Sequence, residues 1–168
     1  MIETGRLLLR PMALEDRDAL IAIYSDAEVA QFMSPFGEDE ADQRLDDWRR
    51  SWRERGYGLM AVLDRATGEL LGRSGLYYWP QFDETEVGWL LRRDAWGRGL
   101  ATEAGRACLK WGFQNFDFAY ITSMIDPQNA RSIAVADRLG MKPLRDDVLR
   151  ADAIVVHAIA RATWSAEH

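Results

Sequence analysis

Apolar positions along the 168-residue chain follow two periods, and the changes between them mark out helices and strands. Near the start, "RLLLRPM" is a short apolar run that stops at Pro11 and reads as a strand. In the next stretch, "ALEDRDALIAIYSD", Leu14, Ala19, Leu20, Ile23 and Tyr24 recur at helical spacing. "SPFGEDEADQRLDDWRRSWRERGYG" predicts a turn and then a charged helix over about 38–55. Its acids come first and its arginines last, which suits the helix dipole. Trp48 and Trp52, one helical turn apart, read as its buried stripe or as a border of a binding site, and Arg49, Arg50, Arg53 and Arg55 read as a solvated face rather than an anion site.

From Gly56 the period becomes two. "YGLMAVLD", the turn "RATGE" and "LLGRSGLYYW" predict a hairpin with Gly68 in its turn, and "ETEVGWLL" adds a third strand of an antiparallel meander. A helix follows in which Leu100, Ala104, Ala107, Cys108 and Trp111 share one face. Then come the strand "AYITSMI", a helix from about Ala130 to Leu139 stopped by Gly140, and strands over 142–149 and 153–160. This order predicts a single α+β domain over 1–168, with a mixed sheet and helices covering its faces. No repeat, low-complexity tract or linker divides it.

Composition narrows the function classes. With 48% apolar and 29% charged residues the chain has ordinary globular make-up, and a net charge of -6 argues against a general nucleic-acid binder. The apolar run "AIVVHAIA" is too short to cross a bilayer, and "MIETGRLLLRPM" has no leader pattern, so a soluble, cytoplasmic protein is expected, with no membrane partner. Cys108 is the single cysteine, which excludes an internal disulfide and a cysteine zinc cluster. No His, Asp or Glu set has metal-ligand spacing, and no metal is expected.

Candidate chemistry centres on "DAWGRGLATEAGRACLKWGF". A strand, a turn with Gly97 and Gly99, and then a helix point several free backbone N–H groups at one spot, an arrangement that binds anions. A tight strand-to-helix turn accounts for the glycines equally well. A phosphate-binding loop of the G-x-x-x-x-G-K-[ST] type is excluded because no lysine follows Gly99 at that position. The dinucleotide fingerprint G-x-G-x-x-G fails at Thr102, and its strand belongs to a meander. A diphosphate ligand held by amides beside a short strand remains.

These residues carry a resemblance. "EVGWLLRRDAWGRGLATEA" resembles the acetyl-CoA-binding segment of the GNAT superfamily of N-acetyltransferases, nearest to the branch that acetylates the N-terminal amine of ribosomal proteins. "IETGRLLLRPMALED" resembles that branch's opening strand and helix, "NARSIAVADRLGMK" its second motif and "HAIARATW" its closing strand and tail. The resemblance implies a GNAT-type acyl-CoA N-acyltransferase fold with a mostly antiparallel sheet. It implies that the amides of Trp96, Gly97, Arg98, Gly99, Leu100, Ala101 and Thr102 cradle the CoA pyrophosphate. The main chain of Trp89, Leu90 and Leu91 then runs alongside the pantetheine arm, as a peptide strand adds to a sheet edge. Trp96 stands where the superfamily often has Gln or Arg and the ribosomal-type branch commonly has Trp. Arg92, Arg93 and Arg98 either screen phosphate charge or, for the first two, are surface arginines. Asn129 and Ser132 match an Asn-x-x-Ser pair that faces the cofactor arm and its sulfur, although Asn129 is also a natural helix N-cap. Many relatives carry a tyrosine general acid four residues before the equivalent of Gly140; here Ala136 stands there.

The implied activity moves an acetyl group from acetyl-CoA to a primary amine by direct transfer in a ternary complex. A protein N-terminal α-amine is favoured as acceptor, and the enzyme is expected to be a monomer or homodimer. A small-amine or antibiotic acetyltransferase and a non-catalytic acyl-CoA sensor are the alternatives. Glu86 is the candidate base, acting through a water, since alternation puts it on the face of Gly88 and Leu90; a solvent-facing strand glutamate is the competing reading. Ser132 needs only to hydrogen-bond the departing thiolate, because a thiol pKa near 8.5 makes it a fair leaving group. Glu103 and His157 read as structural. Of Tyr77, Tyr78, Trp79 and Phe82, half are expected in the core and half along the acceptor pocket. Asp39, Glu40 and Asp42 either attract a basic acceptor or merely open a helix.

Overall fold

In the computed structural model, which describes residues 1–34 and 36–167, the strand-forming runs join one sheet. Pro35, part of the expected turn at "SPFG", and His168 lie outside the described residues. The strands are β1 (Ile2–Glu3), β2 (Leu7–Pro11), β3 (Leu59–Asp64), β4 (Leu70–Trp79), β5 (Glu84–Leu91), β6 (Tyr120–Ile125), β7 (Lys142–Leu149) and β8 (Asp152–Ala160). They form an eight-stranded sheet in the order β1-β2-β3-β4-β5-β6-β8-β7. The helices are α1 (Arg17–Tyr24), α2 (Ala27–Ala30), α3 (Glu38–Arg55), α4 (Leu100–Asn115), α5 (Ala130–Arg138) and α6 (Arg161–Glu167). The expected α+β class and meander are both present, and short β1, α2 and the last helix α6 are additions to the sequence reading.

Every neighbouring pair is antiparallel except β5 and β6. The β4–β5 ladder runs unbroken from Trp79↔Glu84 to Gly72↔Leu91, whereas parallel β5 and β6 share only the pair Glu86↔Thr122. Beyond Glu86 the two strands therefore part, and the main chain at the end of β5 is left without a neighbour on that side. Backbone groups freed in this way need another partner.

Alternation along β5 divides its residues between the two layers. Val87 and Leu91 pack with Leu100, Ala104, Cys108 and Leu109 of α4. Leu90 lies on the opposite face with Leu20 of α1 and Ala41, Leu45 and Trp48 of α3. Helix α4 sits close to the sheet because Gly112 has no side chain: a Cβ there would lie 2.8 Å from Leu76 Cδ1. The outer face of α3 is solvated as expected, with Arg49 and Arg50 paired to Asp46 and Asp47 one turn back. Glu103 is structural too. It accepts from Thr4 Oγ1 at 2.6 Å and from Arg6 N and Nε at 3.0 and 2.7 Å, which ties the β1–β2 turn to the first turn of α4. His157 is buried in β8, its Nδ1 3.2 Å from the Val155 carbonyl. No described helix is long and apolar enough to cross a membrane.

Candidate functional site

The start of α4 is built to leave amides free. Gly97 and Gly99 have φ of 71° and 75°, a region that costs other residues about 1–2 kcal/mol each. The first bond into the helix runs from Glu103 N to Gly99 O at 3.0 Å. Among the described residues, none of the N–H groups of Gly97, Arg98, Gly99, Leu100, Ala101 and Thr102 has an acceptor, whereas the Trp96 amide, expected among them, already donates to the Arg93 carbonyl at 3.1 Å in the turn before the helix. Thr102 Oγ1 is also buried without a partner. Gly97, Arg98 and Gly99 are exposed, so water can meet their amides until a ligand replaces it, whereas the buried Thr102 hydroxyl costs about 1–3 kcal/mol while unsatisfied. A Cβ on Gly97 would meet nothing within 4 Å, so the turn opens onto clear space.

That space is a cavity of about 670 Å³ lying between α4, α5 and the parted end of β5. Of the residues singled out in the sequence, Trp89, Leu90, Leu91, Trp96, Gly97, Gly99, Leu100, Ala101, Thr102, Asn129 and Ser132 line it. Arg98 does not; its carbonyl accepts from Arg6 Nη1 at 2.8 Å, which leaves its backbone N–H as its contribution. The Leu91 carbonyl accepts from Trp96 Nε1 at 2.8 Å and is not free for a ligand. Asn129 caps α5, its Oδ1 accepting from Ser132 N at 3.1 Å, and this bond sets Ser132 at the cavity wall. Ala136 is fully buried. Arg92 is tied to Asp94 and Glu69, and Arg93 to Asp26 and Glu28, so neither lines the cavity and both are surface arginines. Sequence reasoning missed Phe32 and Met33, just after α2, as well as Arg131, whose guanidinium lies 4.1 Å from the centre of the Trp96 ring.

A second cavity, of about 680 Å³, opens on the other face of β5 and shares Phe32 and Met33 with the first. Glu86 lines it, on the face predicted by alternation. This carboxyl keeps some contact with cavity solvent yet lies deep within the protein, and burial pushes its pKa up from 4.5 to about 7. The Trp79 indole, the Arg73 and Arg150 charges and the Met124 main-chain dipole hold it from rising further. Trp79 Nε1 has no acceptor at bonding geometry, so its pull on Glu86 is that of the indole dipole.

Tyr77 and Trp79 line this second cavity, their ring centres 4.9 Å apart. Tyr78, on the opposite face, donates to Asp83 Oδ1 at 2.7 Å and carries Arg55 over its ring. All four aromatic residues of this group are partly buried, which corrects the expectation that half would be core: the end of the β4–β5 hairpin runs past the helices that cover its middle. Asp42 is taken by Arg17, and Glu40 accepts from Gly37 N at the start of α3. Among the described residues, no group of three or more His, Cys, Asp or Glu gathers as a metal site.

Comparison with known proteins agrees with this arrangement. Residues 6–142 match the acetyltransferase (GNAT) domain. An N-acetyltransferase of Bacillus licheniformis, p20, is 30% identical over 143 residues, covering 83% of this chain and 80% of that protein. The crystal structure of an acetyltransferase from Agrobacterium tumefaciens str. C58 superposes with a TM-score of 0.81 at 30% identity, covering 94% of this chain and 92% of that one. The ribosomal L7/L12 α-N-protein acetyltransferase RimL, solved with coenzyme A, shares the fold at 16% identity, with a TM-score of 0.76 over 95% of this chain and 97% of that one. By sequence and by fold, the chain belongs to the GNAT family of acetyltransferases, enzymes that use acetyl-CoA.

Proposed function

We propose that this enzyme acetylates an α-amine by direct transfer from acetyl-CoA, bound in the first cavity, to an acceptor bound in the second. Acetyl-CoA supplies an activated acetyl thioester, and the residues present suit it. The free N–H groups of residues 97–102 and the unpartnered Thr102 Oγ1 match a diphosphate's need for donors. The unpaired edge at the end of β5 suits the amide-bearing pantetheine arm. Ser132, set by the Asn129 cap, donates its hydroxyl proton to a hydrogen bond with the departing sulfur. With Ala136 in place of an acidic side chain, that bond is enough for a leaving group of pKa near 8.5.

The observation that carries the reading is Glu86: a carboxyl at about 7, on the sheet face that lines the second cavity. An ammonium has no lone pair, so the acceptor must first lose a proton. Transfer from an α-ammonium of pKa near 8 to a base near 7 is uphill by about 1.4 kcal/mol, and from a lysine near 10.4 by about 4.6 kcal/mol. Glu86 therefore suits an α-amine, taking its proton directly or through a water.

Thiol release from acetyl-CoA, followed with amine panels, tests the proposal. Turnover is expected with free α-amines and not with Nα-blocked peptides that retain lysine. Acetyl-CoA binding with no amine-dependent thiol release would overturn it.

A further inference from the structure

The second cavity is lined by cations that form no ion pair among the described residues. Arg92 and Arg145, on the surface, sit against carboxylates. Arg44, Arg73 and Arg150, from α3, β4 and the β7–β8 turn, line the cavity, and none has an ion pair among the described residues. Neutral groups position them instead. Arg73, only 9% exposed, donates from Nε to Tyr24 Oη at 2.8 Å and lies 5.6 Å from the Trp48 ring centre. Arg44 stands 5.4 Å over Phe36, and Arg150 stands 5.4 Å over Trp79 while donating to Ser34 Oγ. Rings and hydroxyls orient a guanidinium without cancelling its charge, and an uncompensated buried charge is costly unless a ligand supplies the counter-charge.

The acids around the same cavity are engaged elsewhere or sit at its mouth. Glu40 caps α3, Asp47 pairs with Arg50, and Asp126 Oδ1 accepts from Gln128 N at 2.7 Å. Asp152 is exposed beside the β7–β8 turn. Burial lowers the Arg44 pKa, opposed by Tyr24 and, more weakly, by Glu40, while the neighbouring Arg150 and Arg73 lower it further. Glu86 remains, and it is not in an ion pair with Arg73. Yet both reach one small patch: the point where a Gly88 Cβ would stand lies 3.5 Å from Glu86 Oε1 and 3.9 Å from Arg73 Nη1. An anionic and a cationic group side by side but unpaired are complementary to a zwitterion, with its ammonium toward Glu86 and its carboxylate toward Arg73.

The Arg150 turn adds an independent sign. Leu149 pairs with Asp152, so Arg150 and Ala151 form a two-residue turn with φ of 53° and 72°. Such turns normally use Asn-Gly, because both positions disfavour a Cβ. Strain of this kind clusters at functional sites, and this turn presents Arg150 over Trp79.

We propose that the acceptor is a primary amine with a carboxylate a few bonds away, held through that carboxylate by Arg73 with support from Arg44 and Arg150. This rests on the reading of the second cavity as the acceptor site. Two sources share that chemistry: a free amino acid and a peptide whose N-terminal residue is aspartate or glutamate.

The test compares kcat/KM, by thiol release, for phenylalanine against phenylalaninamide, for Asp- against Asn-initiated tetrapeptides, and for phenethylamine. The carboxylate-bearing member of at least one pair is expected to be preferred by roughly 10- to 100-fold, the range of a charge-assisted hydrogen bond. Whichever pair shows the preference identifies the source. Arg73→Gln should bring that ratio toward one, mainly through KM. Arg150→Gln, on an exposed turn that does not threaten folding, should reduce it in the same direction. Equal or better turnover of the amides, or of phenethylamine, overturns the inference while leaving the acetyltransferase reading intact. No turnover with any amine overturns both.

Discussion

Replacing Glu86 with glutamine should do two things at once, because the same burial governs its chemistry and its cost to the fold. The carboxyl rises from 4.5 to about 7 on folding, a shift worth roughly 3 kcal/mol. The sign follows from proton uptake: a group whose pKa is raised in the folded state is held protonated there, so its penalty is absent below pH 4.5, grows up to pH 7 and is constant above. Glutamine never ionises. At pH 8 Glu86→Gln should therefore be more stable than wild type by up to about 3 kcal/mol, or about 6–12 °C in Tm for a chain of this size, and near wild type at pH 4. Turnover should fall by about 10²–10⁴, and the rise of kcat/KM with pH near 7 should disappear. Thermal unfolding at the two pH values, with a pH–rate profile by thiol release, measures both. A stability difference that is the same at pH 4 and pH 8, or a profile that keeps its limb near 7 in the variant, refutes the reasoning.

Gly99→Val should cost about 1–2 kcal/mol of stability, since φ is 75° and only Arg6 Nη2 lies near, at 3.7 Å; calorimetry should nonetheless show acetyl-CoA affinity falling more than 100-fold. Thr102→Val removes a buried hydroxyl that has no partner, so the protein without ligand should be as stable or about 1 kcal/mol more so, while CoA binds more weakly. Ser132→Ala should lower kcat with little change in CoA affinity; unchanged turnover would remove its place at the leaving sulfur.

Local features of the site were legible in the sequence and long-range ones were not. Gly97 and Gly99 could be read because left-handed backbone is a property of single residues, and Glu86 because alternation fixes which strand residues share a face. Asn129 showed its capping role for the same reason. The opening between β5 and β6 could not be read, since the parallel pairing of two distant strands leaves no local trace. Nor could the meeting of Arg44, Arg73 and Arg150, which three separate elements bring to one cavity. Arg92 and Arg93 stayed open between phosphate screening and the surface, because their partners Glu69, Asp26 and Glu28 are far away in sequence. Phe32 and Met33 were passed over because their role as a shared wall depends on the placing of α2.

The central claim is that unpaired amides at the start of α4 receive the diphosphate of acetyl-CoA. Backbone amide shifts of the ¹⁵N-labelled protein, recorded as acetyl-CoA is titrated in, report on those groups one by one. The account predicts that residues 97–102 move most, with Trp89 and Leu90 following and the β1–β3 edge unchanged. Saturable binding that leaves the amides of residues 97–102 unmoved would contradict it.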